Sequence, residues 1–213
     1  MSPTYADQPA ARQTDARVLR VNYIMPFPNL GGGTKSSRLI AEAMVRRGHE
    51  VRIVYPAAWR PMPSIFRPRV WTRSALMRLR LGRRPAHHLM QSTAKLIVVE
   101  RHYVEPADVP DADVCMASWW ETMEAISSWP ESKGLKVHFI RGHEVFHREK
   151  EKVRNVYLMK HLKVCNSNWL RQVMAEEYGR EAVVVHNGVD WSQFDSVPRR
   201  RAKTPTVGLM VGW

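Results

Sequence analysis

Residues 18–55 read VLRVNYIMPFPNLGGGTKSSRLIAEAMVRRGHEVRIVY, and this segment carries the pattern from which the fold class follows. It begins with Val18–Met25, a nearly continuous apolar run that is typical of a strand covered on both faces in a parallel sheet. Pro26–Pro28 end that strand. Three glycines and a helical pattern follow, Gly48 ends the helix, and residues 51–55 then alternate in polarity as in a second strand. The segment therefore predicts a βαβ unit.

The predicted helix of this unit lies between the glycines and Gly48. Thr34, Ser36 or Ser37 could each cap its amino end, because all three side chains can accept a hydrogen bond from a backbone N–H. Its predicted apolar face consists of Leu39, Ile40, Ala43 and Met44.

Gly31, Gly32 and Gly33, followed by Thr34, form the first candidate binding site. Glycines let the backbone approach a ligand closely, and the N–H groups at the start of a helix favour an anion. The spacing differs from Gly-x-Gly-x-x-Gly, and Tyr55 and Pro56 stand where a dinucleotide enzyme usually offers an acidic residue to the ribose, so a nicotinamide cofactor is disfavoured. The alternative is a tight turn that binds no ligand.

The composition indicates a globular protein. The chain has 213 residues, of which 44% are hydrophobic, which is enough for a core. Cys115 and Cys165 each lie in an apolar, strand-like run, so we predict buried, reduced thiols instead of a disulfide or a metal site. Residues 1–16 are predicted to be a disordered tail without the apolar core of a signal peptide, and no apolar run is long enough to cross a bilayer. We expect a cytoplasmic protein that needs no metal and no cofactor.

The charge of the chain favours anionic partners. Lys and Arg outnumber Asp and Glu by 33 to 20, which gives a net charge of +13, and no acidic residue lies between Glu50 and Glu100. Residues 59–84 mix arginines with apolar side chains, a pattern typical of segments that contact an anionic membrane surface or acceptor. The residues expected to make this contact are Trp71, Arg73, Arg78, Arg80, Arg83 and Arg84. The alternative is a solvated face whose apolar residues pack on the sheet.

The remainder of the chain alternates apolar runs with helical segments. Strands are predicted at residues 96–99, 113–117, 135–140, 162–165 and 182–185. Helices are predicted at about 119–128 and about 149–160, and a further helix is capped by Ser167 and ends at Tyr178 before Gly179. This alternation predicts an α/β fold with a Rossmann-like, doubly wound parallel sheet.

Four polar clusters follow predicted strands and should meet at the carboxyl edge of the sheet, where such folds bind ligands. The clusters are Gly31–Thr34, His143 with Glu144, Asn166 with Ser167, and His186-Asn187-Gly188. Singly, each has a structural alternative: a turn, a surface histidine beside a glutamate, a helix cap, and a turn at a strand end. Their shared position favours a binding site.

Several segments resemble one enzyme family. They are Pro26-Phe27-Pro28 with the glycine turn, Arg46–Val51, Val164–Leu170 and, most specifically, Val185-His186-Asn187-Gly188-Val189-Asp190 with Phe194 shortly after. Together they resemble the acceptor-binding half of GT-B glycosyltransferases and, within these, family 4, the retaining nucleotide-sugar enzymes. The chain has His186 where that family usually has Pro. The resemblance covers residues 18–213 and implies a Rossmann-like domain at 17–188, a linker at 189–205, and at 206–213 the first strand of a donor domain that is otherwise missing.

The resemblance also implies a site and its chemistry. His143, with Glu144 as its alternative, would lie near the anomeric carbon of a nucleotide-sugar donor and would orient groups or stabilise charge, while the leaving phosphate acts as the base. The glycine turn would face the donor phosphates or the acceptor. Asn166, Ser167, Asn187 and Gly188 complete the expected donor- or acceptor-binding set. The acceptor would be a carbohydrate or a lipid-linked sugar at the inner face of the membrane, nucleic acid would not be a partner, and the chain alone would be inactive.

An alternative function is a basic, Rossmann-like binding module for nucleic acid or anionic surfaces, without catalysis. Steep salt dependence of DNA or RNA binding would favour this module. Lipid binding with little affinity for nucleic acid would favour the glycosyltransferase.

Overall fold

The computed structural model describes residues 17–57, 86–146, 149–188 and residue 204. The predicted features outside these residues are the tail at 1–16, the linker at 189–205 apart from residue 204, the strand at 206–213, and Trp71, Arg73, Arg78, Arg80, Arg83 and Arg84. Our expectations for them stay predictions.

Within the described residues the chain forms a seven-stranded, fully parallel sheet with helices on both faces. The strands are β1 (Arg20–Ile24), β2 (Glu50–Pro56), β3 (Lys95–Val99), β4 (Val114–Ala117), β5 (Leu135–Ile140), β6 (Leu162–Cys165) and β7 (Val183–Val184). The helices are α1 (Gly32–Arg46), α2 (Trp120–Ser127), α3 (Lys150–Leu158) and α4 (Asn168–Tyr178). Short 3-10 turns lie at His88–Gln91, Pro106–Asp108, Glu131–Lys133 and Glu144–Phe146. This architecture confirms the predicted α/β, Rossmann-like fold.

The strand order is β3-β2-β1-β4-β5-β6-β7, so the direction of winding reverses between β1 and β4. Helix α1 packs on one face of the sheet, where Ala41 joins an apolar layer with Tyr23 and Phe139. Helices α2, α3 and α4 pack on the other face, where Trp120 and Tyr157 are buried. A crevice is expected at the carboxyl edge where β1 and β4 send their helices to opposite faces.

Helix α1 begins earlier than predicted. Its first residue is Gly32 and its cap is Gly31, so the prediction that Thr34, Ser36 or Ser37 caps it is wrong. The cause is Asn29, whose Oδ1 accepts hydrogen bonds from the Gly31 N–H at 2.7 Å and from the Thr34 hydroxyl at 3.2 Å and so fixes the turn before the helix. The end of the helix agrees with the prediction, because Gly48 has a positive φ of 87°.

The face of α1 that lies on the sheet is more polar than predicted. The buried residues of α1 are Thr34, Ser37, Arg38, Ala41 and Glu42. Ile40 and Met44 pack against the apolar layer as predicted, whereas Leu39 and Ala43 are only half-buried. A polar residue is tolerated on this face where it is hydrogen-bonded, as Ser37 is to the Tyr23 hydroxyl at 2.9 Å.

Most boundaries in the second half agree with the predictions. Ser167 caps α4, accepting a hydrogen bond from the Leu170 N–H at 3.3 Å, and Gly179 ends α4 with a φ of 59°. Strands β5 and β6 have the predicted bounds, but β7 and α3 are shorter than predicted. Cys115 and Cys165 are free and buried, as predicted. Among the described helices, none has the length and apolarity needed to span a bilayer.

Basic side chains hold the carboxyl end of α3. The Lys163 ammonium donates to the Met159 carbonyl at 2.7 Å, and Arg180 donates to the carbonyl one residue earlier, where cations favour the negative end of the helix dipole. The rings of His138 and His161 lie beside them, with centroids 5.6 Å apart. Burial lowers the pKa of His161 to about 4 and that of His138 well below its usual range, so both imidazoles are neutral at pH 7.

Candidate functional site

A chain of hydrogen bonds joins three of the four predicted polar clusters at the carboxyl edge of the sheet. The Arg141 guanidinium donates to the Gly33 carbonyl at the start of α1, and the Arg141 carbonyl accepts from Asn166 Nδ2 at 3.2 Å. The Asn166 carbonyl accepts from the Nδ1 of His186 at 3.1 Å. The ends of β5, β6 and β7 are thereby connected to the glycine turn.

The three glycines of the turn have different reasons to lack a side chain. None has a positive φ. A Cβ on Gly31 would lie 2.8 Å from Asn29 Oδ1, and a Cβ on Gly33 would lie 3.1 Å from Arg141 Nη1, whereas a Cβ on Gly32 would meet nothing within 4 Å. Gly31 and Gly33 therefore make room for side chains of this protein, and Gly32 is the glycine that faces open space.

Thr34 has a structural part in the same turn. Its side chain is buried, and its hydroxyl donates to Asn29 Oδ1 and accepts from the Asn29 N–H at 3.3 Å. The hydroxyl is thus engaged in both directions within the turn.

Arg141 is a candidate binding residue that the sequence analysis did not single out. Besides the Gly33 carbonyl, its guanidinium donates to the Ser36 hydroxyl at 3.1 Å and to the Ser118 hydroxyl at 3.4 Å. All three acceptors are neutral. The Nε of Arg141 is buried and has no hydrogen-bond partner among the described residues. The available sequence signal was an arginine directly after a predicted strand and next to Gly142.

The position of Arg141 makes this edge electropositive. Ser118 directly follows β4 and is buried, so the guanidinium lies between the segments that follow β1 and β4. The first turn of α1 adds the positive end of a helix dipole at the same place. A positive charge with only neutral acceptors, beside the start of a helix, favours an anionic ligand group such as a phosphate.

Glu144 is turned toward the face of the sheet that α2, α3 and α4 cover, opposite the face that α1 covers. Its Oε2 accepts from the backbone N–H of Trp120, the first residue of α2, at 3.2 Å. Its own N–H donates to the hydroxyl of Tyr157, which donates to the Gly142 carbonyl, each at 3.1 Å. Burial raises the pKa of the Glu144 carboxyl to about 7, although the Trp120 hydrogen bond and the Arg141 charge oppose this shift.

His143 lies among aromatic rings on the same side as Glu144. Its Nε2 is 2.8 Å from the Tyr178 hydroxyl and 3.8 Å from Glu177 Oε2. Its ring centroid is 5.9 Å from that of Tyr157 and 6.4 Å from that of Trp169. Among the described residues, the hydrogen bond, the ion pair and the ring contacts of His143 are all with α3 and α4 and none is with the glycine turn.

The remaining predicted site residues differ in whether their polar groups already form hydrogen bonds within the protein. The Asn166 amide and carbonyl both belong to the hydrogen-bond chain, and the Ser167 hydroxyl caps α4. Asn187 and Gly188 are exposed where the described chain leaves β7, and a Cβ on Gly188 would meet nothing within 4 Å. A binding role for these residues stays a prediction.

Comparison with known proteins gives structural neighbours only. No protein-family model matches the chain, and no curated protein matches it either. One similar solved structure is an alpha-glucosyltransferase in complex with UDP and a 13-mer DNA containing an HMU base, with 14% identity and a TM-score of 0.48 over 83% of this chain and 44% of that chain. A second structure with the same contents has 15% identity and a TM-score of 0.45 over the same shares of both chains. A third, with UDP and DNA containing a central A:G mismatch, has 15% identity and a TM-score of 0.39 over 70% of this chain and 37% of that chain. The chain therefore spans less than half the length of the solved structures that it resembles.

Proposed function

We propose that this chain is the acceptor-side half of a retaining glycosyltransferase, which moves a sugar from a nucleotide-sugar donor to a carbohydrate or lipid-linked acceptor. The observation that carries the proposal is the Arg141 guanidinium, whose hydrogen-bond acceptors are all neutral and which joins the first turn of α1 to Ser118 at the carboxyl end of β4. The sequence resemblance to family 4 supplies the class of reaction.

The chemistry needs a positive group at this position. In the transfer, the bond between the anomeric carbon and the diphosphate oxygen breaks, a bond to the acceptor oxygen forms, and the acceptor proton passes to the leaving diphosphate. Negative charge grows on the diphosphate as it leaves. Donors that are fixed in place before the reaction stabilise that charge without reorganisation, and Arg141 with the open backbone at Gly32 meets this need.

His143 and Glu144 have supporting parts in this proposal. His143 orients the transferred sugar, as the resemblance implies. Glu144 holds the loop at 141–144 onto the first N–H of α2, which fixes the position of Arg141 and His143 at the end of β5. Glu144 is therefore a positioning residue instead of an acid or base for the reaction.

Calorimetry with nucleoside diphosphates tests the binding part of the proposal. Arg141→Gln should weaken the affinity for UDP, ADP or GDP by about tenfold, the worth of one charge-assisted hydrogen bond, and leave uridine or adenosine binding unchanged. Arg171→Gln, which removes an exposed arginine from α4, is the matched control. Equal affinity for diphosphates and nucleosides would contradict an anion site here, as would an equal loss in the control.

A transfer assay tests the reaction. Radiolabelled nucleotide sugars would be offered with oligosaccharide, lipid-linked and DNA acceptors, to this chain and to any longer product of the same gene. DNA is included because the net charge of +13 favours polyanions. Sugar incorporated into an oligosaccharide or lipid acceptor supports the proposal, incorporation into DNA alone corrects the acceptor class, and no incorporation by the longer product refutes it.

A further inference from the structure

Trp169 leaves a large aromatic surface exposed next to His143. It lies in the first turn of α4, and 59% of its surface is accessible, while Tyr157 and Tyr178, the other aromatic rings beside His143, are buried. The Trp169 and His143 rings meet nearly edge to face, with an interplanar angle of 74°. Burial of an indole is strongly favourable, so an exposed one on the ligand edge of the sheet is available for a ligand ring.

His143 places a polar ring nitrogen beside that surface. Its Nε2 lies 2.8 Å from the Tyr178 hydroxyl and is therefore already engaged within the protein. The other ring nitrogen is Nδ1, which donates in one tautomer and accepts in the other. Nδ1 makes no hydrogen bond in the described part of the chain, and it is not sealed in the interior.

We propose that Trp169 is the stacking surface for a pyranose ring, which packs its C–H face on the indole while one of its hydroxyl groups forms a hydrogen bond with His143 Nδ1. A flat apolar surface beside one ring nitrogen fits a neutral sugar, which has both an apolar face and, at its rim, hydroxyl groups that can donate or accept. That the bound ring is a sugar rests on the proposed function, and the assignment of Trp169 as its contact goes beyond it.

The test is a titration of the 213-residue chain, first shown to be folded by circular dichroism, with methyl α-glucoside, methyl α-galactoside and methyl α-mannoside. Binding is followed by the NMR signals of the Trp169 indole N–H and the His143 ring protons. Sorbitol, an open-chain polyol, and uridine, a stacking ring that is not a pyranose, are the ligand controls. At least one glycoside should shift both signals, and the controls should shift neither.

Two variants and one matched control measure the contribution of the indole. Trp169→Ala should weaken glycoside binding, read from the His143 signals, by about fivefold or more, and Trp169→Phe should lose less, because it keeps a ring. Tyr103→Ala removes another aromatic residue, 58% exposed, beyond β3 at the far end of the sheet, and should leave binding unchanged. Binding that is unchanged in Trp169→Ala, or uridine displacing every glycoside, overturns the inference.

The inference and the proposed function can fail separately. If glycoside binding depends on Trp169 but the protein never transfers sugar, the inference stands and the proposed glycosyltransferase function is refuted. If the protein transfers sugar and Trp169→Ala leaves the KM values for donor and acceptor unchanged, the proposed function stands and the inference is refuted.

Discussion

Replacing Gly33 by Ala tests whether Arg141 and the glycine turn form one unit. The new Cβ would lie 3.1 Å from Arg141 Nη1 and 3.3 Å from Nη2, closer than ordinary van der Waals contact, so the guanidinium has to move. The same substitution at Gly32 meets nothing within 4 Å and is the matched control. Neither glycine has a positive φ, so Ala fits both backbone conformations.

The two substitutions should change stability in opposite directions. Ala in place of Gly in a helix stabilises it by about 0.5–1 kcal/mol, and Gly32→Ala should show this gain. Gly33→Ala has the same gain but disturbs the hydrogen bonds of Arg141 to the Gly33 carbonyl and the Ser36 hydroxyl, each worth about 1 kcal/mol at a half-exposed site. We therefore expect Gly33→Ala to be less stable than Gly32→Ala by up to about 2 kcal/mol, the value if both hydrogen bonds are lost.

Urea denaturation at pH 7 measures this difference, and a double-mutant cycle identifies its cause. In an Arg141→Ala background the clash partner is absent, so Gly33→Ala and Gly32→Ala should become equal. Equal stabilities already in the wild-type background, or a difference that persists without Arg141, would refute the coupling of the turn to this arginine.

Three further predictions concern backbone strain and buried titratable groups. Gly134→Ala should destabilise the chain by more than about 3 kcal/mol, because Gly134 has a φ of 88° and a Cβ there would lie 2.5 Å from a backbone carbonyl carbon. Gly48 has a similar φ of 87°, but a Cβ there would meet nothing within 4 Å. Gly48→Ala should therefore cost only about 1 kcal/mol in the same urea titration. Lowering the pH from 6.5 to 4 should cost on the order of 2 kcal/mol of stability through His161, because the unfolded ring gains a proton near pH 6.5 and the folded ring only at about pH 4. His161→Phe should reduce this dependence of stability on pH, whereas the exposed His102→Phe should leave it unchanged. An unchanged dependence in His161→Phe would contradict the assignment. Raising the pH from 4.5 through 7 should cost on the order of 2 kcal/mol through Glu144, because its carboxyl ionises near 4.5 in the unfolded chain and only at about 7 in the folded one. Glu144→Gln should remove this loss and the exposed Glu124→Gln should keep it, and denaturation at a series of pH values decides between these outcomes.

The fold was predictable from the sequence because its determinants are local. Both faces of a central parallel strand are covered, so β2 is a continuous buried run from Val51 to Pro56, and a glycine stops each of α1 and α4 where the backbone turns left-handed. The bounds of β5 and β6 follow from the same kind of pattern.

The start of α1 and the centre of the candidate site were not predictable in this way. The cap of α1 depends on Asn29 folding back onto Gly31, a contact that competes with three plausible cap residues. Arg141 acquires its role from Gly33, which is 108 residues away in the chain, and no spacing rule reports such a contact. The alternation of strands and helices predicted that the four polar clusters lie at one edge of the sheet. The direction in which the His143 side chain points was not predictable, because it depends on a hydrogen bond to Tyr178 that forms only when α4 is folded and packed.

Arg141 presents two chemically different ends to two different parts of the molecule. Its guanidinium donates to the Gly33 carbonyl in the turn, and its carbonyl accepts from Asn166, whose own carbonyl is hydrogen-bonded to His186 just after β7. Three side chains and three backbone carbonyls thus link the first turn of α1 to the segment that leaves β7. We therefore expect a substitution that moves Arg141 to alter the backbone at both places.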